Sequence, residues 1–144
     1  MISRKTRYAL MALLRLAKEY GKGPIQIAEI AKGESIPQKF LESILNDCKK
    51  MGVVQSKMGK AGGYFLIKPP VDIDLATIYN HFEGPAAMLS CVSDKYYEPC
   101  EFGRNEEHCG ICKTFKKIDA QTSAILKSTN LQSIIDEDQT GYYK

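Results

Sequence analysis

Four of the five cysteines in this 144-residue chain lie close together, at positions 91, 100, 109 and 112. Cys109 and Cys112 have the C-x-x-C spacing that lets two thiolates bind one metal ion or cluster from a single turn. Eight residues separate Cys100 from each of its cysteine neighbours. Four thiolates without a required histidine suit tetrahedral zinc or an iron–sulfur cluster of two or four irons. We therefore take Cys91, Cys100, Cys109 and Cys112 as candidate metal ligands.

The context of the cysteines leaves a second chemistry open. No secretory signal or membrane span is recognisable, because the apolar run at 9–17 is too short and contains Arg15. The chain is therefore expected in the reducing cytoplasm, where clustered cysteines indicate metal or redox chemistry more often than structural disulfides. A redox disulfide among free thiols is the alternative to a metal. Cys48 lies on an apolar helical stripe and is expected to be a small core residue.

One enzyme class has a similar motif. His81 and Glu83, followed by the C-x-x-C pair, resemble the H-x-E…P-C-x-x-C pattern of zinc deaminases. However, no proline precedes Cys109, two of the four clustered cysteines would have no role, and no βαβ pattern surrounds the motif. The sequence therefore favours a binding protein over an enzyme, with His81 on a helix surface or packed against its neighbours.

The elements that must carry this site follow a DNA-binding pattern. The stretch 24–66 predicts two helices joined by a tight turn and followed by a Gly-rich basic hairpin. The second helix is expected from about Pro37 to Met51, with Pro37 at its first position. This layout is typical of a winged helix-turn-helix, which places one helix in the major groove of DNA. The predicted apolar stripe of that helix comprises Phe40, Leu41, Ile44, Leu45 and Cys48.

Polar, basic and glycine residues lie where such a unit meets DNA. Gln38 and Lys39 occupy the first turn of the predicted recognition helix, whose N-terminal residues contact base edges. Lys57 and Lys60 suit phosphate or minor-groove contact, and the glycines of the hairpin permit close backbone approach. A solvated surface is the alternative for any one of these side chains. The candidate DNA-binding residues are Arg4, Lys5, Tyr8, Gln38, Lys39, Lys57, Lys60, Gly62 and Gly63.

Charge is distributed unevenly along the chain. Residues 1–70 contain 13 Lys/Arg and 5 Asp/Glu, a charge of +8, whereas residues 71–144 contain 7 and 12, a charge of −5. Part of the excess, at Arg4 and Lys5, lies at the start of a helix predicted for 3–20, where cations oppose the helix dipole. The buried stripe of that helix is expected to extend to Tyr20. A basic half joined to an acidic half indicates that a polyanion, such as double-stranded DNA, binds the first half only.

A Pro-Pro segment predicts the boundary between two domains. Lys68-Pro69-Pro70 is a stiff exit from a DNA-binding domain, 1–70, and a second domain follows at 71–144. The first element of the second domain is expected to be a helix with Asp74 as its N-cap and Gly84-Pro85 as its end. The predicted role of the second domain is to pair two copies of the chain and to carry the cysteine site.

The cysteine loop, at about 90–112, precedes the longest predicted helix. Cys112 is expected to open that helix, where the helix dipole favours thiolate, and the helix should run to about Lys127. The chain is too small to cover the apolar face of this helix, which predicts pairing with a second copy. A short last helix should begin with a capping box at Thr129–Gln132, and the tail from Asp136 is expected to fray. The apolar face comprises Phe115, Ile118, Thr122, Ile125 and Leu126.

Several motifs occur together in one order along the chain. They are Tyr8-Ala9, Ile27–Ala31, Ile36–Glu42, Gly59 and Gly62-Gly63-Tyr64, followed by the cysteine loop and the long helix. In this combination the chain resembles, over nearly its whole length, the family of dimeric winged-helix regulators that includes IscR, NsrR and CymR. The resemblance implies a homodimer that binds a palindromic operator in double-stranded DNA and holds a cluster in its sensor loop.

The resemblance also suggests a ligand set. Cys91, Cys100 and Cys109 match the three cysteine ligands of the cluster-binding members. Cys112 falls where IscR-like members have a histidine ligand, and Arg7 stands where NsrR-like members have an aspartate ligand. A thiolate in place of an imidazole should make the cluster more electron-rich and lower its potential.

Together these observations predict a mainly α fold with a small β-hairpin wing, in which a winged helix-turn-helix domain is joined to a long dimerisation helix. The predicted function is sequence-specific DNA binding by a homodimeric transcriptional regulator that senses redox, iron–sulfur or reactive-gas status through its cluster. In the wing, Met58 stands where IscR-like members have a minor-groove arginine, so Lys57 or Lys60 is expected to replace that contact. Two alternatives keep the DNA-binding fold but lack a cluster: a zinc or thiol–disulfide site, and control by a partner protein.

Overall fold

The computed structural model describes residues 1–84 and 87–138, and it confirms the predicted fold class. In the described part of the chain, six α-helices surround one two-stranded antiparallel hairpin. No helix of this part is long and apolar enough to cross a membrane. The helices are α1 (Arg4–Lys18), α2 (Ile27–Glu34), α3 (Gln38–Lys50), α4 (Leu75–Glu83), α5 (Gly110–Ser128) and α6 (Leu131–Glu137); the strands are β1 (Val54–Lys57) and β2 (Gly63–Leu66).

One hydrophobic core joins the helix-turn-helix to the elements that follow it. Side chains from α1, α3 and the hairpin are buried together with Ile73, Ile78 and Leu131, which belong to the chain beyond residue 70. Cys48 is fully buried in this core, as predicted, and burial raises the pKa of its thiol to about 12. The helices that are predicted to bind DNA are therefore packed directly against the second half of the chain.

Two aromatic residues that the helical pattern assigned to the core are exposed. Phe40 is 59% exposed, because the buried stripe of α3 is centred on Leu41, Ile44 and Cys48, and Phe40 lies about a quarter of a turn to one side. Tyr20 is 41% exposed, because α1 ends at Lys18 and the chain turns away before Tyr20. Pro37 also lies one position earlier than predicted, at the N-cap of α3.

The hairpin is held against the start of α2 by a third extended segment. Val54 pairs with Leu66, and Lys57 pairs with Gly63 at the far end of the ladder. Ile25 and Tyr64 exchange two backbone hydrogen bonds of 2.9 and 2.8 Å, which adds a bridge to the outer edge of β2. The approach is so close that a Cβ atom on Gly63 would lie 2.2 Å from the carbonyl oxygen of Ile25. Glycine at this position is therefore required by the packing of the wing.

Replacing Gly63 with alanine should destabilise the protein. The new Cβ atom would clash with the Ile25 backbone, and φ at Gly63 is +141°, a conformation that alanine rarely adopts. We expect the free energy of unfolding, measured with urea, to fall by about 2–3 kcal/mol. Gly110→Ala is the matched control, because a Cβ atom there meets open space and the residue is helical. Equal stability of the two variants would contradict the close approach of β2 to Ile25.

The second half of the chain follows the predicted order of elements with shifted ends. Asp74 caps α4 by accepting a hydrogen bond from the backbone N–H of Thr77 at 2.8 Å, and Gly84 ends the helix with a φ of +83°. Pro85, predicted to close α4 together with Gly84, lies outside the described residues. The long helix α5 begins at Gly110 with Cys109 as its N-cap, so Cys112 lies within its first turn rather than opening it.

The last helix begins one residue later than its predicted capping box. Asn130 and Ser133 form the capping box, in which each side chain accepts a hydrogen bond from the backbone N–H of the other residue. Asn130 is extended and forms a β-bridge with Asp74, so it stands outside the helix as its N-cap. The Thr129 hydroxyl instead donates to the carbonyl oxygen of Ile125 at 2.7 Å. The prediction of fraying from residue 136 is wrong for its first positions, since α6 continues to Glu137, and residues 139–144 lie outside the described part of the chain.

Candidate DNA-binding surface and cysteine site

The turn between α2 and α3 presents the start of α3 to solvent. Ser35 adopts a left-handed conformation, with a φ of 54°, and this sharp turn separates the two helices. Gln38 and Lys39 are exposed in the first turn of α3, and Pro37 makes no side-chain cap there. The predicted recognition residues thus lie at an accessible helix end, and the exposed ring of Phe40 lies beside them.

The start of α1 faces the same region. Arg4, Lys5 and Tyr8 line a groove of about 190 Å³ together with Phe40 and Ser43 of α3. Arg4 is exposed and Tyr8 is half-buried, so both can reach a ligand on this face. The described structure therefore brings the predicted contacts of α1 next to those of α3.

Lys5 differs from the other predicted contacts because it already has a protein partner. Its Nζ lies 2.8 Å from Asp47 Oδ2 on α3, and this hydrogen bond holds the pKa of the Asp47 carboxyl below its ordinary value. The same ammonium lies over the ring of Phe82 on α4, 5.8 Å from its centroid. Lys5 is thus placed to join three helices, a role that sequence patterns could not predict.

The two lysines of the wing are exposed, whereas Gly62 is buried and Gly63 is half-buried. Lys57 and Lys60 are exposed, and Gln26 donates from its side chain to the carbonyl oxygen of Lys60 at 3.1 Å, which ties the hairpin tip to the start of α2. Gly62 is buried, and a Cβ atom on it would lie 2.1 Å from the carbonyl oxygen of Lys57. Gly62 and Gly63 are therefore explained by the tight turn and by the Ile25 contact, and their predicted contact with DNA is not needed to account for them.

The four clustered cysteines line one cavity of about 190 Å³. Cys91 lies in a short 3-10 turn and Cys112 in the first turn of α5, and their Sγ atoms are 3.5 Å apart. Cys109, the N-cap of α5, and Cys112 are buried, whereas Cys91 and Cys100 are half-buried. Residues separated by up to 21 positions in sequence thus meet at one end of the long helix.

The helix start favours thiolate at Cys109 rather than at Cys112. Hydrogen bonds from the backbone N–H groups of Cys112 and Ile111 lower the pKa of the Cys109 thiol. Cys112 shows the opposite shift, because its thiol is hydrogen-bonded to Cys91, and its pKa is raised to about 12. The N–H groups that were predicted to favour thiolate at Cys112 are therefore directed to Cys109, because Cys109 is the N-cap of α5.

A carboxylate that the sequence analysis overlooked braces the cysteine loop. The hydroxyl of Tyr97 donates to both carboxylate oxygens of Glu106, at 3.1 and 3.0 Å, and the backbone N–H of Cys100 donates to Glu106 Oε1 at 3.2 Å. The hydrogen bond to the Glu106 carboxylate raises the pKa of the Tyr97 hydroxyl. Glu106 therefore connects Cys100 to the segment that leads into Cys109, although no motif marks this residue.

The donor set of four thiols suits a thiophilic metal group, either zinc or an iron–sulfur cluster. Within residues 1–84 and 87–138, no three His, Cys, Asp or Glu side chains are grouped to hold a metal ion, so neither zinc nor a cluster has a preformed site there. The cavity nevertheless exceeds the roughly 30 Å³ that one water occupies in the liquid. Four thiols around such a cavity fit the ligand chemistry of an iron–sulfur cluster, and the short Cys91–Cys112 distance also fits a thiol–disulfide pair.

An apolar stripe runs along the exposed side of α5. Ile111, Ile118 and Ile125 recur every seven residues and are 52%, 37% and 65% exposed. Cys112 is the one buried residue of this helix, and Phe115, Thr122 and Leu126 are half-buried. Seven-residue spacing is that of a helix seam that pairs with another helix, and the predicted apolar face gains Ile111 as its first member.

His81 and Glu83 take no part in the cysteine cavity. His81 is exposed on α4 with its ring edge-on to Phe82, and Glu83 hydrogen-bonds to the start of α1. Neither residue lines the space between the cysteines. The arrangement required by the deaminase motif is therefore not formed by these residues.

Comparison with known proteins agrees with the winged-helix fold. The family model described as Rrf2, iron-dependent transcriptional regulator, matches residues 2–137. An rrf2-like HTH-type transcriptional regulator of Rhodobacter capsulatus is 38% identical over 138 residues, which cover 94% of this chain and 92% of the relative. IscR of Photorhabdus laumondii is 25% identical over 138 residues, covering 96% of this chain and 80% of IscR. The solved structure of CymR, the global cysteine regulator of B. subtilis, superposes with a TM-score of 0.80 at 27% identity, covering 96% of this chain and 98% of that one.

Proposed function

The chain belongs to the Rrf2 family of transcriptional regulators, and we propose that it is a homodimeric, DNA-binding member whose DNA affinity is set by an iron–sulfur cluster held by Cys91, Cys100, Cys109 and Cys112. Its relatives are named as regulators and not as enzymes, which agrees with the prediction of a binding protein. The observation that carries the proposal is the convergence of four thiols on one cavity at the start of α5.

The proposed sensor works by joining parts of the chain that are far apart in sequence. An iron–sulfur cluster, when bound, supplies a redox-active and oxidant-labile link among the thiols that hold it. Cys91 belongs to the segment that follows α4, Cys100 to the loop braced by Glu106, and Cys109 and Cys112 to the start of α5. Holding these thiols together would fix the loop against α5. The effect on DNA affinity can be no larger than the difference in free energy between the held and released arrangements.

The proposed dimer is formed through the exposed stripe of α5. Pairing two copies along Ile111, Ile118 and Ile125 would remove three large apolar side chains of each copy from water. A two-fold axis through this seam would place two copies of α3 on one face, and such a pair binds a palindromic operator with half-sites one helical turn apart or a multiple of it. Gln38 and Lys39 would then contact the major groove of each half-site.

The proposal is tested by purifying the full-length chain without oxygen. We expect a visible absorption spectrum, equal amounts of iron and acid-labile sulfide, and a shift in affinity for a selected duplex when the iron is removed. A colourless protein with one zinc per chain would overturn the cluster and leave the family assignment intact. The iron content per chain would also distinguish a two-iron from a four-iron cluster.

A thiol switch is the second candidate function. It is favoured by the 3.5 Å separation of the Cys91 and Cys112 sulfur atoms and by similarity to CymR, which is named a global cysteine regulator. In this case oxidation would form one disulfide, with loss of two protons and two electrons to the oxidant. A metal-free protein whose DNA affinity depends on thiol reduction would support it over the cluster. Affinity unaffected by metal and by thiol reduction would instead point to control by a partner protein.

Lys60 offers a direct test of the proposed wing contact. Lys60→Ala should weaken binding to all duplexes alike and make the dependence of log affinity on log salt shallower by about one unit, because one phosphate contact is lost. Affinity is measured by fluorescence anisotropy between 50 and 200 mM salt, a range in which such contacts dominate. Lys95→Ala is the control, since Lys95 lies in the cysteine loop over the ring of Tyr96. An unchanged salt slope for Lys60→Ala would remove Lys60 from the DNA-binding surface.

A further inference from the structure

The end of α4 is tied to the start of α1 by a group of hydrogen bonds. Glu83, the last residue of α4, accepts a hydrogen bond of 2.6 Å from the backbone N–H of Ser3 and another from the hydroxyl of Thr6. Thr6 is fully buried, and its backbone N–H donates to Ser3 Oγ at 3.1 Å to cap α1. The hydrogen bonds that Glu83 accepts from Thr6 and Ser3 hold the pKa of its carboxyl below the ordinary value. One carboxylate thus joins two helix ends that are about 80 positions apart in sequence.

We call the contacts of Glu83 with Ser3 and Thr6 the Glu83 joint. This joint is connected to α3, the predicted recognition helix, through Lys5, the residue before Thr6 in α1. Lys5 forms its 2.8 Å ion pair with Asp47 of α3 while its ammonium lies over the ring of Phe82, next to Glu83 in α4. Exposed ion pairs contribute little to global stability. The pair is nevertheless geometrically specific, because it connects α1 and α3 where the ring of Phe82 from α4 lies under the Lys5 ammonium. A shift of α1 relative to α4 would therefore be transmitted to α3.

The joint lies between the cysteine site and the DNA-binding surface. Glu83 precedes Cys91 by eight positions, and α4 packs against both α1 and α5, whose first turn contains Cys112. On the other side, α1 and α3 carry the predicted DNA contacts. No residue of this joint lines the cysteine cavity. Its position suits the transmission of movement rather than the binding of a cofactor.

We infer that Glu83 is a positioning residue for DNA contact, which sets the start of α1 and, through the Lys5–Asp47 ion pair, the position of α3. This inference rests on the proposed function, since it assumes that α3 contacts DNA. It assigns Lys5 to the joint rather than to a phosphate. A residue outside the basic half of the chain would thus control how the basic half binds.

The test compares Glu83→Ala with Glu83→Gln. Glutamine keeps a carbonyl oxygen that can accept from Ser3 and Thr6, whereas alanine removes the acceptor. With the full-length protein, we expect Glu83→Ala to lower affinity for a duplex selected from a randomised library by about tenfold and to leave affinity for a scrambled duplex unchanged. Glu83→Gln should stay within about threefold of the unchanged protein. Glu19→Ala, at the opposite end of α1, is the matched control.

A simple charge effect would give a different pattern. If Glu83 acted only by repelling DNA, both variants would raise affinity for both duplexes equally, and that result would overturn the inference. Asp47→Asn gives an independent test, in which the direction of the change in affinity for the selected duplex decides. It removes a negative charge near DNA, so a rise in affinity for the selected duplex would contradict the joint, whereas the joint predicts a fall.

Amide hydrogen exchange tests the Glu83 joint without DNA, so its result does not depend on the proposed function. Glu83→Ala should speed amide exchange in the first turn of α1 and near Asp47, and Glu83→Gln and Glu19→Ala should not. If the unchanged protein selects no duplex, the proposed function fails, and this exchange pattern alone supports or overturns the joint. Unchanged exchange in Glu83→Ala, with a native thermal unfolding midpoint, would show that Glu83 positions nothing.

Discussion

Replacing Ile118 with glutamate is expected to convert the protein from a dimer to a monomer and to lower its affinity for a palindromic duplex by about a hundredfold or more. Ile118 is the central member of the exposed stripe of α5, with Ile111 and Ile125 one heptad away on each side. A carboxylate there would have to lose its water in an apolar seam, which costs far more than the seam can return. A monomer would then bind one half-site without the gain in effective concentration that a second linked module provides.

The experiment measures molar mass in solution and duplex affinity on the same sample. Ala120→Glu is the matched control, because it adds the same charge to the same helix at an exposed position about 200° around the helix axis from Ile118. Native thermal stability is required of both variants, and the exposure of Ile118 in the single chain makes that outcome expected. If the Ile118→Glu protein were still a dimer, the two copies would have to associate through a surface other than the exposed stripe of α5.

The helix-turn-helix and the wing were predictable because their signals are local. The apolar stripes of α1 and α3 follow the helical period, and Gly62 lies in the tight turn of the hairpin, where a Cβ atom would clash with the backbone of Lys57. The order of motifs along the chain was sufficient to identify the family, which the match over residues 2–137 confirms. Local geometry of this kind requires no knowledge of distant partners.

Features that depend on tertiary partners were missed or placed incorrectly. Phe40 lies at the edge of a helical stripe, where the helical period cannot say whether a neighbouring element covers the ring. The Glu83 joint and the Glu106 brace connect residues through single carboxylates, and an isolated Glu has no sequence pattern. The ion pair of Lys5 with Asp47 was missed because no sequence pattern links the two residues.

The cysteine site lies between these two cases. The spacing of Cys109 and Cys112 predicted their proximity, because residues three apart share one face of a helix turn. The approach of Cys91 to Cys112 depends on how α4 packs against α5, and the spacing of eight residues on each side of Cys100 is uninformative. The sequence predicted that α5 opens at Cys112, whereas its N-cap is Cys109. The unpaired N–H groups at the helix start therefore lower the pKa of Cys109 and not that of Cys112.

Replacing Cys112 with alanine is expected to remove most of the iron and the visible absorption of the anaerobically purified protein. Cys112 is buried, and its sulfur atom lies 3.5 Å from that of Cys91 at the point where the loop meets α5. Changes in residues that merely support metal ligands already cost about 10–100-fold in metal affinity, so the loss of a direct ligand should cost at least as much. Iron, sulfide and zinc are assayed per chain, together with the spectrum.

Cys48→Ala is the control that separates a ligand from a structural cysteine. Cys48 is fully buried in the core of the helix-turn-helix and does not line the cavity, so its loss should lower stability and leave iron per chain unchanged. Iron retained in Cys112→Ala would mean that the fourth ligand lies elsewhere in the dimer. Iron lost from both variants would trace the loss to weakened folding, because Cys48 does not line the cavity and cannot hold the metal.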